Sequence, residues 1–167
     1  MVAAGSDILV AFLNEPQEGF EFERHRKQWP LHITLVSWFR VADEIGLDTA
    51  LAEVAQREQP FQAVLGDYAE FGEAGDTPVN IIAEQGALKT LHKRLSQVVM
   101  EVAADLPATP WSGDSYTAHV TRHGDGNDRS VGEVLEINSF YRVRLGAHNI
   151  CRVTKRFVFG DPDEAAA

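Results

Sequence analysis

An α+β fold built on antiparallel sheet is predicted by three features of this 167-residue chain. Short runs rich in apolar and β-branched residues recur along it. Two stretches between them keep helical apolar spacing, and the connections are short, with no linker-like segment. Residues 7–13 (DILVAFL) are a continuous apolar run of the kind a buried strand shows, and 15–29 (EPQEGFEFERHRKQW) read as an irregular charged connection. Residues 31–39 (LHITLVSWF) form a second strand. After them Ile45, Leu47, Leu51 and Val54 predict a helix capped by Asp43. Residues 60–72 (PFQAVLGDYAEFG) alternate as a strand does, turn at 73–78 (EAGDTP) and continue into the strand 79–85 (VNIIAEQ). The plainest helix is 86–106, with Leu88, Leu91, Leu95, Val98, Val99 and Val102 on one stripe and Pro107 and Pro110 beyond its end. A strand at 115–122 (SYTAHVTR), a loop at 124–130 and a short helix at 130–137 (SVGEVLEI) precede a final pair of strands in 138–160.

Composition bounds the function classes. The length suits one domain, residues 1–160, with a disordered acidic tail at 161–167. Fifteen Lys and Arg against 25 Asp and Glu give a net charge of −10, which opposes binding of long duplex nucleic acid while leaving a small nucleotide or an RNA end accessible. Cys151 is the only cysteine, so no internal disulfide forms. Neither a basic signal region nor a membrane-length apolar run is present, and a cytoplasmic monomer is expected.

One pattern occurs twice. LHITL at 31–35 and AHVTR at 118–122 each carry a histidine followed two places later by threonine, with His32 and His119 87 positions apart. Alternation along a strand puts His32 and Thr34 on one face, and Ser115, Thr117, His119 and Thr121 on another. A lone strand histidine is most often a hydrogen-bonded structural residue. Here two of six share neighbours and context, whereas His25, His92, His123 and His148 have no hydroxyl two places on. Two such faces converging on one cleft suit displacement at phosphorus. One imidazole takes a proton from the attacking oxygen, the other protonates the leaving oxygen, and hydroxyls bind the charged phosphoryl oxygens. This chemistry calls for no cofactor.

Other candidates are weaker. Arg24–Lys27 (RHRK) is the densest positive cluster and reads first as a solvated loop. Trp38, on the predicted face of His32 and Thr34, and Trp111 are candidate base-stacking platforms. Tyr116 beside the second motif, and Phe140 and Arg142 alternating with Arg144 on a late strand, are further candidate substrate contacts. His119 and His123 would stand about 13 Å apart on a strand, too far for one metal ion, and GDGND lacks the closing glutamate of a calcium loop. No metal site is expected.

The motifs resemble those of the two-histidine (2H) phosphoesterase superfamily, which includes bacterial 2′,5′ RNA ligase-like proteins and 2′,3′-cyclic nucleotide phosphodiesterases. PLHITL is similar to the first His-x-Thr copy. YTAHVTRHG is similar to the second, including Arg122, and 141–160 to the terminal strand pair. The resemblance implies a bilobal pseudo-twofold fold, with two antiparallel sheets flanked by helices around a central groove. It implies His32 and His119 as the acid/base pair, with His119 activating water and His32 protonating the departing oxygen, and Thr34 and Thr121 as phosphate ligands. The implied substrates are cyclic or 2′,5′ phosphodiesters of nucleotides or RNA ends. The implied alternatives are 2′,5′ ligation, or a binding module that keeps the groove without turnover. Where relatives have a helix before the first motif this chain has 15–29, which implies a trimmed first lobe.

Overall fold

The computed structural model describes residues 2–25, 28–102, 106–107 and 112–160. Arg26, Lys27, Pro110, Trp111 and the tail at 161–167 lie outside them. The elements run β1 (Ser6–Phe12), β2 (Glu21–Glu23), β3 (His32–Arg40), α1 (Glu44–Arg57), β4 (Phe61–Phe71) and β5 (Thr77–Ile82). They continue with α2 (Gly86–Val102), β6 (His119–Thr121), β7 (Val134–Ile137), β8 (Ser139–Leu145) and β9 (Ile150–Val158). The nine strands of the described residues join one antiparallel sheet in the order β2-β9-β8-β1-β3-β6-β5-β4-β7. The α+β class is therefore as the sequence predicts. The two halves are continuous through the β3–β6 contact at the centre.

Both helices cover one face. Asp43 Oδ1 accepts from the Gly46 N–H at 3.0 Å and starts α1, which buries Leu47, Leu51 and Ala55. Ile45 is 83% exposed, so it is not part of that stripe. Helix α2 buries Leu88, Leu91, Leu95 and Val99 as its period requires, at roughly 1.5–3 kcal/mol for each side chain removed from water. They meet Leu9, Ala11, Ile33, Leu35, Val120 and Phe140 from the sheet. On the opposite face Ile8, Val10, Phe12, Tyr141, Val143 and Val153 form a second apolar cluster. The charged connection closes over it: Phe22 of β2 and Trp29 are buried there, and β2 pairs with β9. No helix among the described residues is long and apolar enough to cross a membrane.

Three expectations change. Residues 134–137 form strand β7 rather than a helix, pairing with β4 from Phe61↔Ile137 to Val64↔Val134. Their burial alternates exposed, buried, exposed, buried, a period of two. Strand β6 covers only three residues, because 113–115 form a 3-10 turn. Phe140 and Arg142 do alternate together, but onto the helix face. The register Leu9↔Arg142 sets Arg142 beside the helix-side core, and Phe140 stacks on Phe157.

That placement gives the arginines another use. Asp7 is fully buried and accepts from Arg144 Nε at 2.7 Å, with Arg142 Nε at 3.2 Å. Arg142 also donates to Asp48 at 2.7 Å and Arg144 pairs with Glu44, so one carboxylate ties β1 and β8 to α1. Removing one partner of a buried ion pair leaves the others uncompensated. Asp7→Ala is therefore expected to lower stability by about 3–5 kcal/mol, read as a fall in the urea midpoint.

Candidate active site

Strands β3 and β6 touch at one antiparallel rung, Ile33↔Val120, whose side chains both enter the helix-side core. Antiparallel register then sets His32 opposite Thr121 and Thr34 opposite His119, all four on the other face. Directly opposed Cβ atoms lie roughly 4.5–5.5 Å apart and diagonal ones roughly 7–8 Å, so the two imidazoles stand on one diagonal of a small square and the two hydroxyls on the other.

Both histidines are held alike. His32 Nδ1 lies 2.9 Å from the Pro30 carbonyl and His119 Nδ1 lies 2.8 Å from the Thr117 carbonyl, in each case two residues back. A carbonyl only accepts, so Nδ1 carries the hydrogen and Nε2 keeps its lone pair. Their surroundings differ. His32 packs against Trp29, with centroids 4.6 Å apart, and at 6.2 Å against Phe12. His119 meets the edge of Phe71 at 4.8 Å. Burial pushes His32 down to about 4, and the nearby His119 and His123 push the same way; burial also lowers His119.

Two cavities meet here. One, of about 310 Å³, is lined by His32, Thr34 and Thr121 with Arg24, Trp29 and Trp38. The other, of about 530 Å³, is lined by His119, Thr34, Phe71, Tyr116, Thr117 and Ser115 among others. Thr34, Ser37 and Thr77 line both, which places their junction between the histidines.

Ser37 and Thr77 were not legible as site residues, and Ser37 has a backbone reason. Between the rungs Val10↔Thr34 and Asp7↔Phe39, β3 fits two more residues than β1. These irregularities turn both Leu35 and Val36 into the core and leave both Ser37 and Trp38 at the cavities. Trp38 thus reaches the expected face after two slips that cancel. Thr77 follows the turn and opens β5, opposite Phe71.

The remaining candidates divide. The Arg24 guanidinium lies 5.4 Å over the Trp38 ring, so this part of the charged connection belongs to the cavity rather than to open solvent. Arg122 does not join the groove. It follows the end of β6 and lies 4.2 Å over the Tyr68 ring with Nε 3.9 Å from Asp128. Tyr116 lines the His119 cavity with its ring, but its hydroxyl donates to the Thr34 carbonyl at 2.8 Å. No group of three or more His, Cys, Asp or Glu side chains suited to a metal ion occurs among the described residues.

A family model described as the 2′-5′ RNA ligase superfamily matches residues 8–144. The chain belongs to this superfamily, the two-histidine phosphoesterases. Solved structures share the fold. TT0787 of Thermus thermophilus aligns at TM-score 0.62 and 18% identity, over 93% of this chain and 98% of that one. E. coli LigT complexed with 3′-AMP aligns at TM-score 0.54 and 15% identity, over 95% and 100%. Kluyveromyces marxianus Usb1 aligns at TM-score 0.53 and 12% identity, over 90% and 99%. No curated protein matches the chain significantly by sequence. Superfamily membership supports phosphoesterase or ligase-like chemistry in general.

The depressed histidines have a consequence for stability. An unfolded His32 titrates near 6.5 and the folded one near 4, so the unfolded chain binds more protons across that window. Stability is then complete above about pH 6.5 and declines as pH falls towards 4. The urea midpoint is expected to drop over this range, and His32→Gln to flatten the drop, by at most ~1.4 kcal/mol per pH unit.

Proposed function

We propose that the protein is a metal-independent phosphodiesterase that opens 2′,3′-cyclic phosphates or related 2′,5′ phosphodiesters on nucleotides or RNA ends. The observation that carries this reading is the square of two imidazoles and two hydroxyls across the β3–β6 contact, with both Nδ1 atoms committed to carbonyls and both Nε2 atoms left for chemistry. The solved complexes of E. coli LigT with 3′-AMP, ATP and NADP+ support a small nucleotide as the ligand class.

In the proposed step the phosphodiester sits at the junction of the cavities. Thr34 and Thr121 donate to its non-bridging oxygens, where charge accumulates. His32, pushed down to about 4, is the base: its Nε2 takes the proton of water as the water oxygen bonds to phosphorus. His119 is the acid, giving its Nε2 proton to the ribose oxygen as the P–O bond breaks. The anionic phosphate favours the charged form of the neighbouring ring, which burial by itself disfavours. This polarity reverses the one implied by the resemblance. The environment of His32, under Trp29 and Phe12, is the reason.

Turnover of 2′,3′-cyclic mononucleotides in EDTA is the direct test. Wild-type protein is expected to hydrolyse them, and His32→Ala and His119→Ala to lose about 10²- to 10⁴-fold in kcat. Absence of turnover across all four nucleotides would move the reading to a binding module. In a bell-shaped kcat/KM profile His32 sets the acidic limb and His119 the basic one, so His32→Asn erases the former. Loss of the basic limb instead restores the opposite polarity. Trp38→Ala is expected to raise KM about tenfold with kcat little changed, if a base stacks there.

A further inference from the structure

His92 has no place in the proposed chemistry, yet it is buried, polar and fully engaged beside the groove. It projects from α2 among leucines, 3% exposed. Its Nδ1 lies 2.6 Å from the Leu35 carbonyl, and the Gly113 N–H donates to its Nε2 at 3.0 Å. Donor on one side and acceptor on the other, the ring is neutral, and burial lowers its affinity for a second proton. Tyr116 stacks flat against it, with centroids 4.1 Å apart and planes 4° from parallel, and donates to the Thr34 carbonyl at 2.8 Å. The two stacked rings thus grip consecutive carbonyls of β3.

Those carbonyls need partners because the sheet fails them. Leu35 is an extra residue in the β1–β3 register, and among the described residues β3 meets β6 at no rung beyond Ile33↔Val120. A buried carbonyl left unpaired costs about 1–3 kcal/mol. The same divergence opens the groove. Thr34 is also the residue that stands opposite His119, whereas Tyr116 and Gly113 belong to the segment that leads into His119.

We infer that the His92–Tyr116 stack is a positioning strut, holding the divergent strands at a set separation and thereby fixing the Thr34 hydroxyl relative to the His119 imidazole. Neither residue is a catalytic residue, since both are bonded to the protein. Tyr116 never competes as a proton donor to substrate, because burial pushes its phenol well above the ordinary value. The strut rests on the phosphoesterase reading only in so far as Thr34 binds phosphate.

Tyr116→Phe removes one oxygen and leaves the stacking surface. The probe is inorganic phosphate, followed by the imidazole NMR shifts of His32 and His119, with kcat and KM on a cyclic nucleotide measured alongside. Phosphate affinity is expected to fall about fivefold, the equivalent of one neutral hydrogen bond, and kcat to fall further than KM rises. His92→Gln keeps a donor and an acceptor and is expected to retain more phosphate affinity than His92→Leu, when both are measured well below their unfolding temperatures. That pair decides the matter if Tyr116→Phe does not fold. Phosphate binding unchanged in Tyr116→Phe, or equal losses in the two His92 variants, would overturn the strut while the phosphoesterase reading stands. A wild-type protein that neither binds phosphate nor turns over a phosphodiester would overturn both.

Discussion

The rung between Ile33 and Val120 organises the site. Both side chains are buried on the helix side, Ile33 wholly so, and strict alternation then turns the residues flanking each of them to the opposite face. Because the side-chain period is two, a slip of one residue would push His32 and Thr34 towards the leucines of α2 and lose the square altogether. The apolar packing on one face thus sets the spacing of the polar groups on the other. The site is placed on strands, which hold side chains more closely than loops do.

A cleft at the centre of a continuous sheet has a structural cost, since diverging strands strand their own carbonyls and N–H groups. The chain meets it with side chains. Gln85 accepts from the Ala118 N–H at 2.7 Å at the start of β6, and its amide also donates at 2.9 Å to the Ala118 carbonyl, which the Ile82 N–H of β5 already meets at 3.0 Å. Tyr116 and His92 do the same for β3 at Thr34 and Leu35. Asn80 reaches the Gly66 carbonyl at 3.1 Å across an irregularity of the β4–β5 ladder, where a Cβ on Gly66 would approach the Ile81 carbonyl to 2.5 Å. Each of these polar residues turns inward to a backbone group that an interrupted ladder leaves to satisfy.

This explains which parts of the molecule could be read beforehand. The His-x-Thr pair, the α2 stripe and the Asp43 cap are local patterns whose period or side-chain chemistry carries the answer. What resisted was set by pairing. Phe140 and Arg142 were correctly grouped on one face, but alternation does not say which face meets helices, and the Leu9↔Arg142 register decided it. Ser37 would fall on the core side of an unbroken strand, and only the irregularities in β3 turn it to the groove. Thr77 carries no motif and owes its position to the β4–β5 hairpin. The connection 15–29 read as trimmed and charged, yet two of its three large aromatics, Phe22 and Trp29, roof the second apolar cluster, and Trp29 reaches His32.

That last contact breaks the likeness of the two motifs where the proposed displacement needs it broken. Two histidines with the same following threonine, the same Nδ1 carbonyl bond and the same strand setting would titrate together, and a displacement needs one of them charged and the other neutral. The first half of the chain packs Trp29 and Phe12 on its histidine, whereas the second offers Phe71. Added apolar contact disfavours the charged ring, and once one ring is charged, its neighbour across the diagonal is further discouraged from following. In the proposed mechanism, a segment of no recognisable motif thereby distinguishes two residues whose local sequences are nearly alike.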